Sequence, residues 1–452
     1  MRTRIADLTA REERRFRDEH PRSQELAERA RRSLLAGVPM HWMAKWPGGF
    51  PVFVAEAHGA RFVDVDGNEY VDLCLGDTGA MTGHSPAPTV EAIDRQAQHG
   101  ITLMLPTEDA LWVGEELARR FGLPYWQFAL TATDANRFVI RLAREVTGRP
   151  KVLVFNWCYH GTVDETFVAL NDGKVTARRG NLGPPVPLEV TTRVVEFNDV
   201  EALERELAHG DVACVLTEPA LTNVGIVHPE PGFHDALREL SRASGSLLVI
   251  DETHTICCGP GGFTRANDLE PDLLTIGKPI AGGVPAAAYG FSEQVAERVV
   301  DHIELEDADV GGVGGTLAAN ALSLAAMRGT LEHVLTEEAF ERMIPLARRF
   351  TAGVEDAIDR YGVQWHVTQL GCRAEYLFGP DRPRTGSEAA EAGDFELERF
   401  MHLFALNRGV LLTPFHNMAL MSPATTQADV DRHTEVFDEA LSEITNEGLG
   451  GT

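Results

Sequence analysis

The chain has 452 residues, 44% hydrophobic and 24% charged, with a net charge of −27. Its length exceeds what one hydrophobic core usually fills, so two lobes are expected. So acidic a chain excludes a nucleic-acid backbone as partner, and six cysteines without zinc or redox spacing fit a reducing, cytoplasmic setting.

At the N-terminus, MRTRIADLTAREERRFRDEH alternates charges around no apolar segment and does not read as a signal peptide. No apolar run approaches the ~18 residues of a membrane-spanning helix. SQELAERARRSLLAG (23–37) has apolar residues at helical spacing and closes on a glycine, which predicts an amphipathic helix. ARFVDVDGNEYVDLCLG (60–76) alternates about Asp66-Gly67, a hairpin signal. From about 108 to 292 the helical stretches EDALWVGEELARRF and RFVIRLAREV alternate with KVLVF, VACVL and SLLVI. Continuous apolar runs joined by helices are buried parallel strands, so this region is an α/β core. Beyond 316 the pattern is helical to about 360. The short runs AEYLF and GVLLT and a helix from about 427 then form a smaller α+β lobe, with GPDRPRTGSEAAEAGD (379–394) as an exposed loop.

The residues just after each apolar run point to chemistry. KVLVF leads to Asn-Trp-Cys-Tyr-His-Gly (156–161), VACVL to Thr217-Glu218, SLLVI to Asp251-Glu252 and DLLTI to Gly277-Lys278. Open parallel sheets bind ligands beyond the carboxyl ends of their strands. Asp251 comes after Glu218 by roughly 30 residues, the span of one βαβ unit. A carboxylate there often caps a helix and a tyrosine often packs, yet four such groups on one rim define a candidate site. LTATDANRFVIRLAR (130–144) runs hydroxyl residues into a helix N-terminus, where anions are stabilised, and GGVGGTLAANALSLAAM (311–327) is a second glycine-rich turn whose Thr316 is expected to open a helix. Neither a Walker nor a G-x-G-x-x-G pattern is present. Lys278 is the single charge in LLTIGKPIAGGVPAAAYGFS (273–292). A lysine, a carboxylate for a ring nitrogen and an anion cradle are what pyridoxal 5′-phosphate (PLP) needs.

The segments VDVDGNEYVD, GHSPAPTVEAI, TATDA, CYHG, EPALTN, VIDETHT, GKPIAGGVPAAAYG and GTLAANALSLAA together resemble the class III aminotransferase family, most of all its glutamate-1-semialdehyde aminomutase branch. The likeness runs from near residue 23 to the final helix. It implies the type I PLP fold: a large domain with a mostly parallel sheet (76–330), and a small α+β domain from both chain ends (1–75 and 331–452). It also implies that Lys278 forms the Schiff base, Asp251 partners the pyridine nitrogen and Tyr159 stacks on the ring. Ala132 and Thr133 would take the phosphate, and Glu218 would lie near the ring oxygen. Thr316 would reach the phosphate of a neighbouring subunit, making a homodimer part of the site.

The departures bear on substrate. Ala132 and Asp134 stand where the family usually has glycine and glutamate, and Thr253 replaces a valine behind the ring. In AGVPMHWMAKWPGG (36–49), His41 and Trp42 occur but not the arginine that grips the aminomutase substrate's carboxylate. Trp42 offers an apolar wall for an aromatic or bulky amine, and core packing explains it equally well. The expected activity is therefore ping-pong transfer of an amino group from an amine or amino acid to a keto acid. The alternative is a PLP-dependent isomerase, either an aminomutase or an amino-acid racemase. Arg373, in GCRAEYLF (371–378), is the candidate carboxylate anchor, with simple exposure or a pair with Glu375 as the competing explanation.

Overall fold

The computed structural model describes residues 2–183, 186–302, 312–413 and 415–445. In chain order its first strands are β1 (Val54–His58), β2 (Arg61–Asp64), β3 (Glu69–Asp72), β4 (Tyr125–Ala129), β5 (Lys151–Phe155), β6 (Val168–Asn171), β7 (Lys174–Ala177) and β8 (Thr192–Val195). Next come β9 (Val212–Thr217), β10 (Leu247–Asp251), β11 (Leu273–Ile276), β12 (Ala287–Phe291), β13 (His366–Leu370), β14 (Arg373–Leu377), β15 (Val410–Leu411) and β16 (Met418–Leu420). The described residues divide into a small unit (2–86, 341–382 and 392–445) and a large unit (87–340 and 383–391).

The large unit is built on a seven-stranded sheet in the order β4-β12-β11-β10-β9-β5-β8. From β11 through β10, β9 and β5 to β8 every pairing is parallel, while β12 and β4 close one edge antiparallel. All residues of β9, β10 and β11 are buried. With helices covering both faces there is no polar side to alternate with, which is why these strands appear in the sequence as unbroken apolar runs. The helix Phe233–Ser244 makes the crossover from β9 to β10. The helix Ala132–Thr147 buries Ala135, Phe138, Val139, Leu142, Ala143 and Val146 along one stripe and stops at Gly148, whose φ of 67° suits a left-handed cap.

The small unit draws on both chain ends. Its sheets have the orders β1-β2-β3-β15 and β13-β14-β16, and β15 pairs with β3 in parallel, joining residues near 410 to residues near 71. Glu12, buried on the helix Arg2–Glu19, accepts from Asn407 Nδ2 at 2.9 Å and from Arg408 at 3.1 Å. Hydrogen bonds from Asn407, Arg408 and Arg11 hold its proton affinity below the usual range although burial alone would raise it.

Three local expectations are corrected. The helix expected over 23–37 runs from Pro21 and stops at Ala30: only Ser23 and Ala27 are buried, and Leu34 and Leu35 lie exposed, so nothing rewards further turns. Residues 379–394 include a helix, Gly386–Glu391. Ser387 Oγ donates to Glu196 at 2.5 Å, and a Cβ at Gly386 would stand 2.3 Å from the Asn156 carbonyl oxygen, so this stretch is pinned to the large unit. Thr316 does not open a helix: the next one begins at Ala321, with Asn320 as its cap accepting from Ser323 N at 2.9 Å. Gly311 of the same turn lies outside the described residues. Among the described residues the six cysteines are free thiols and no helix is long and apolar enough to cross a membrane.

Arg120 tests how the large unit is tied together. It is 4% exposed and donates to the carbonyls of Leu331 (2.6 Å), Leu335 (2.9 Å) and Pro260 (3.3 Å) and to Glu116 (2.7 Å). Arg120→Met leaves those carbonyls without a donor and should cost about 3 kcal/mol, read as a lower urea midpoint at unchanged slope. A loss below about 1 kcal/mol would show that water replaces the guanidinium.

Candidate active site

Except for Thr316, the candidate side chains of the large unit stand near the carboxyl end of a strand or at one helix N-terminus. Asp251 ends β10 and is 3% exposed. Its Oδ2 accepts from Asn136 Nδ2 and lies against His160 Nδ1, both at 2.9 Å, and its Oδ1 accepts from the Thr253 amide at 3.1 Å. Asn136 in turn accepts from Thr275 Oγ1 of β11 at 2.7 Å and donates to the His160 carbonyl at 3.1 Å. One amide on the helix Ala132–Thr147 thus fixes β10, β11 and the CYHG loop together.

Electrostatics separate the two carboxylates of the rim. Burial pushes the proton affinity of Asp251 up, but the His160 hydrogen bond and charge outweigh it, so Asp251 stays below the usual carboxylate range. His160 is pushed the other way, to about 10: desolvation lowers it, and the neighbouring Cys158 and Asp251 more than compensate. A carboxylate paired with an imidazolium is the result. Glu218, 2% exposed, is raised, chiefly by burial. It accepts from Thr222 Oγ1 and, at 3.3 Å, from the Tyr159 amide. The two environments push the acids apart, Asp251 downward and Glu218 upward. Glu252 faces another way, its carboxylate held by Thr255 Oγ1 and the Phe263 and Thr264 amides.

Lys278 comes after Gly277 at the end of β11 with φ of 52°, a left-handed conformation unusual for a residue with a Cβ. Its Nζ lies 2.8 Å from His254 Nε2. The helix N-terminus holds Thr131, whose hydroxyl accepts from the Asp134 amide at 3.1 Å, and then Ala132 and Thr133 in the first turn. Thr133 Oγ1 accepts from the Thr162 amide at 3.1 Å. At Gly161, with φ of 77°, a Cβ would stand 2.1 Å from that hydroxyl; at Gly277 it would stand 3.0 Å from Ala132 Cβ. Glycine at both positions lets the CYHG loop and the Lys278 turn close onto the helix start. Tyr159 is half-buried with its ring edge-on to Phe167 at 6.4 Å, and Thr253 is buried beside Asp251. Thr316 is exposed and lines a cleft with Leu130, Asp134 and Phe138. The donor set fits PLP: an amine, a charged buried carboxylate, and a helix N-terminus whose approaches are kept open by glycine.

Three expected substrate contacts belong to the small unit. His41 is exposed, and Trp42 meets Phe415 edge-on at 5.4 Å, with Lys45 Nζ 5.2 Å from the same ring. Arg373 is corrected. It is fully buried in β14, its guanidinium 3.2 Å from Glu375 Oε2, while His416 Nδ1 lies 3.2 Å from Glu375 Oε1. His416 and Arg373 hold Glu375 below the usual range against the upward push of burial. Arg373 thus shows the competing explanation, a pair with Glu375, and its charge offsets a buried carboxylate. Sequence reasoning missed Asn136, His160 and His254. The last two sit inside the CYHG and VIDETHT segments, where imidazoles so close to the lysine and carboxylate were the available signal.

The fold and the site define a PLP-dependent enzyme of fold type I. The aminotransferase class-III profile matches residues 42–441, and the chain belongs to that family. It is 32% identical over 434 residues to a glutamate-1-semialdehyde 2,1-aminomutase from Persephonella marina, covering 94% of this chain and 99% of that one. A solved glutamate-1-semialdehyde aminomutase variant from Pseudomonas aeruginosa PAO1, in complex with PMP, is 53% identical with a TM-score of 0.96, covering 98% and 99% of the two chains. An omega-transaminase from Sphaerobacter thermophilus is 29% identical with a TM-score of 0.84, over 93% and 97%.

Two substitutions separate site from scaffold. Asp251→Asn should fold normally and lose at least a hundredfold in kcat, because a neutral amide cannot hold charge beside a ring nitrogen; a rate within a few-fold of wild type would move that role elsewhere. Arg373→Met should instead destabilise by about 3–5 kcal/mol by stranding Glu375, and the double variant with Glu375→Gln should recover most of it. Chemical denaturation measures both, and a stable Arg373→Met protein would contradict the burial assignment.

Proposed function

We propose that the protein is an aminomutase that moves an amino group between adjacent carbons of a single amino-aldehyde substrate. The chemistry assigned is conversion of glutamate 1-semialdehyde (4-amino-5-oxopentanoate) to 5-amino-4-oxopentanoate. The observation that carries this reading is likeness along almost the entire chain to an aminomutase at 53% identity. It is preferred over transfer between two substrates, although the rim residues serve either. PLP, when bound, supplies an electron sink for the carbon next to the reacting nitrogen. Lys278 Nζ accepts the proton from one carbon and returns it to another. Asp251, kept charged by His160 and Asn136, would face the ring nitrogen, and Glu218 would lie near the ring oxygen. Tyr159 covers one face of the ring and Thr253 the other. The first-turn amides of Ala132 and Thr133 receive the phosphate, and Thr316 completes that cradle from the second subunit of a homodimer.

One observation favours the second reading, an aminotransferase acting on an amine or amino acid and a keto acid. The segment 36–49 has no arginine, and Trp42 and Phe415 form an aromatic face there. The two readings differ in what one substrate alone can do. Given 4-amino-5-oxopentanoate and no acceptor, the aminomutase should turn over many times to the positional isomer, tracked by proton NMR. Stoichiometric deamination of added amines with no isomer would support the aminotransferase. In either case Lys278→Ala should remain folded, bind PLP less tightly and lose turnover; activity within tenfold of wild type would remove Lys278 from the mechanism.

A further inference from the structure

We propose that His254 is a catalytic partner of Lys278: its imidazole accepts a hydrogen bond from the lysine ammonium and thereby makes the amine a better acceptor of the substrate's carbon-bound proton. This deepens the reading of Lys278 as proton carrier and rests on it. His254 Nε2 and Lys278 Nζ are 2.8 Å apart. A lysine amine is a stronger base than imidazole by roughly four powers of ten in water. The 2.8 Å contact places the lysine as donor and the imidazole Nε2 as acceptor. Hydrogen bonds to an ionised donor are about twice as strong as neutral ones.

The turn after β10 fixes this contact. His254 is the third residue beyond Asp251, and Ile256 N donates to the Glu252 carbonyl at 2.9 Å while Cys257 N donates to the His254 carbonyl at 3.3 Å. Glu252 anchors the turn from beneath through Thr255 and the Phe263 amide. The one turn thus carries the carboxylate for the ring nitrogen and the imidazole for the lysine. Among the described contacts, Asp251 is held by His160 and Asn136, and Glu218 by Thr222 and the Tyr159 amide.

In the proton step a carbon–hydrogen bond breaks, its proton forms the third N–H bond on Nζ, and the electron pair stays with the substrate carbon, for which PLP, when bound, would supply the electron sink. The product of that step on the enzyme is an ammonium, and His254 stabilises it. Both carbons between which the amino group moves must be served by one flexible four-carbon chain, and an acceptor at its tip also gives that chain a fixed resting place.

The test uses cofactor-free protein, so that it does not depend on which reaction the enzyme performs. Lys278 is acylated with limiting acetic anhydride at pH 7.5 and its peptide is quantified by mass spectrometry. His254→Leu keeps the volume and removes the acceptor; its Lys278 should label about tenfold faster than wild type, because more of the amine is neutral. His254→Gln retains an acceptor oxygen and should label within about twofold of wild type. With cofactor restored, kcat should fall about tenfold in His254→Leu at unchanged KM and recover in His254→Gln. Unchanged or slower labelling in His254→Leu would overturn the proposal, as would faster labelling with kcat intact. Failure to isomerise 4-amino-5-oxopentanoate would count against the aminomutase reading and leave the labelling result standing.

Discussion

A carboxylate kept charged in the interior is the constraint around which the large unit is arranged. Asp251 is almost wholly removed from water, and an isolated carboxylate there would take up a proton. It does not stand alone: imidazole and amide donors reach it from the CYHG loop and the helix Ala132–Thr147. Those donors come from 91 and 115 residues away in sequence, so the charge exists only when loop, helix and strand are all in place. The helix that delivers Asn136 also presents its N-terminus to the site, and the loop that delivers His160 also carries Tyr159. Satisfying one buried charge therefore fixes Asp251, the loop carrying Tyr159 and the helix N-terminus together.

The sequence made one half of this legible. Parallel strands buried on both faces must be continuous apolar runs, and the few residues just beyond each run are where a sheet of this kind binds ligand. Lys278, Asp251, Glu218 and Tyr159 could be found by that rule because they are local to their strand ends. The hairpin at Asp66-Gly67 was equally readable, with Gly67 at φ of 90° in the turn.

The other half depended on contacts that have no local signature. Asn136 is a polar residue in an amphipathic helix and looks the same whether it faces water or a carboxylate. Arg373 begins a strand in a way that suits either an open anion site or an internal ion pair, and only the partner at Glu375 decides between them. The helix after residue 23 has the right spacing but no surface to cover beyond Ala30, and periodicity alone does not report that. His254 lies within a segment recognised as a whole, where its nearness to Lys278 depends on how two neighbouring strands end.

The backbone at residue 278 has a consequence for the protein as a material. A side chain there is held in the left-handed region, which costs an ordinary residue roughly 1–2 kcal/mol and glycine far less. The chain would be sturdier with glycine in place of its reactive amine. Selection for heat resistance alone, blind to turnover, should accordingly drift away from lysine at 278, and a population retained only for its fold would lose its chemistry first at this position.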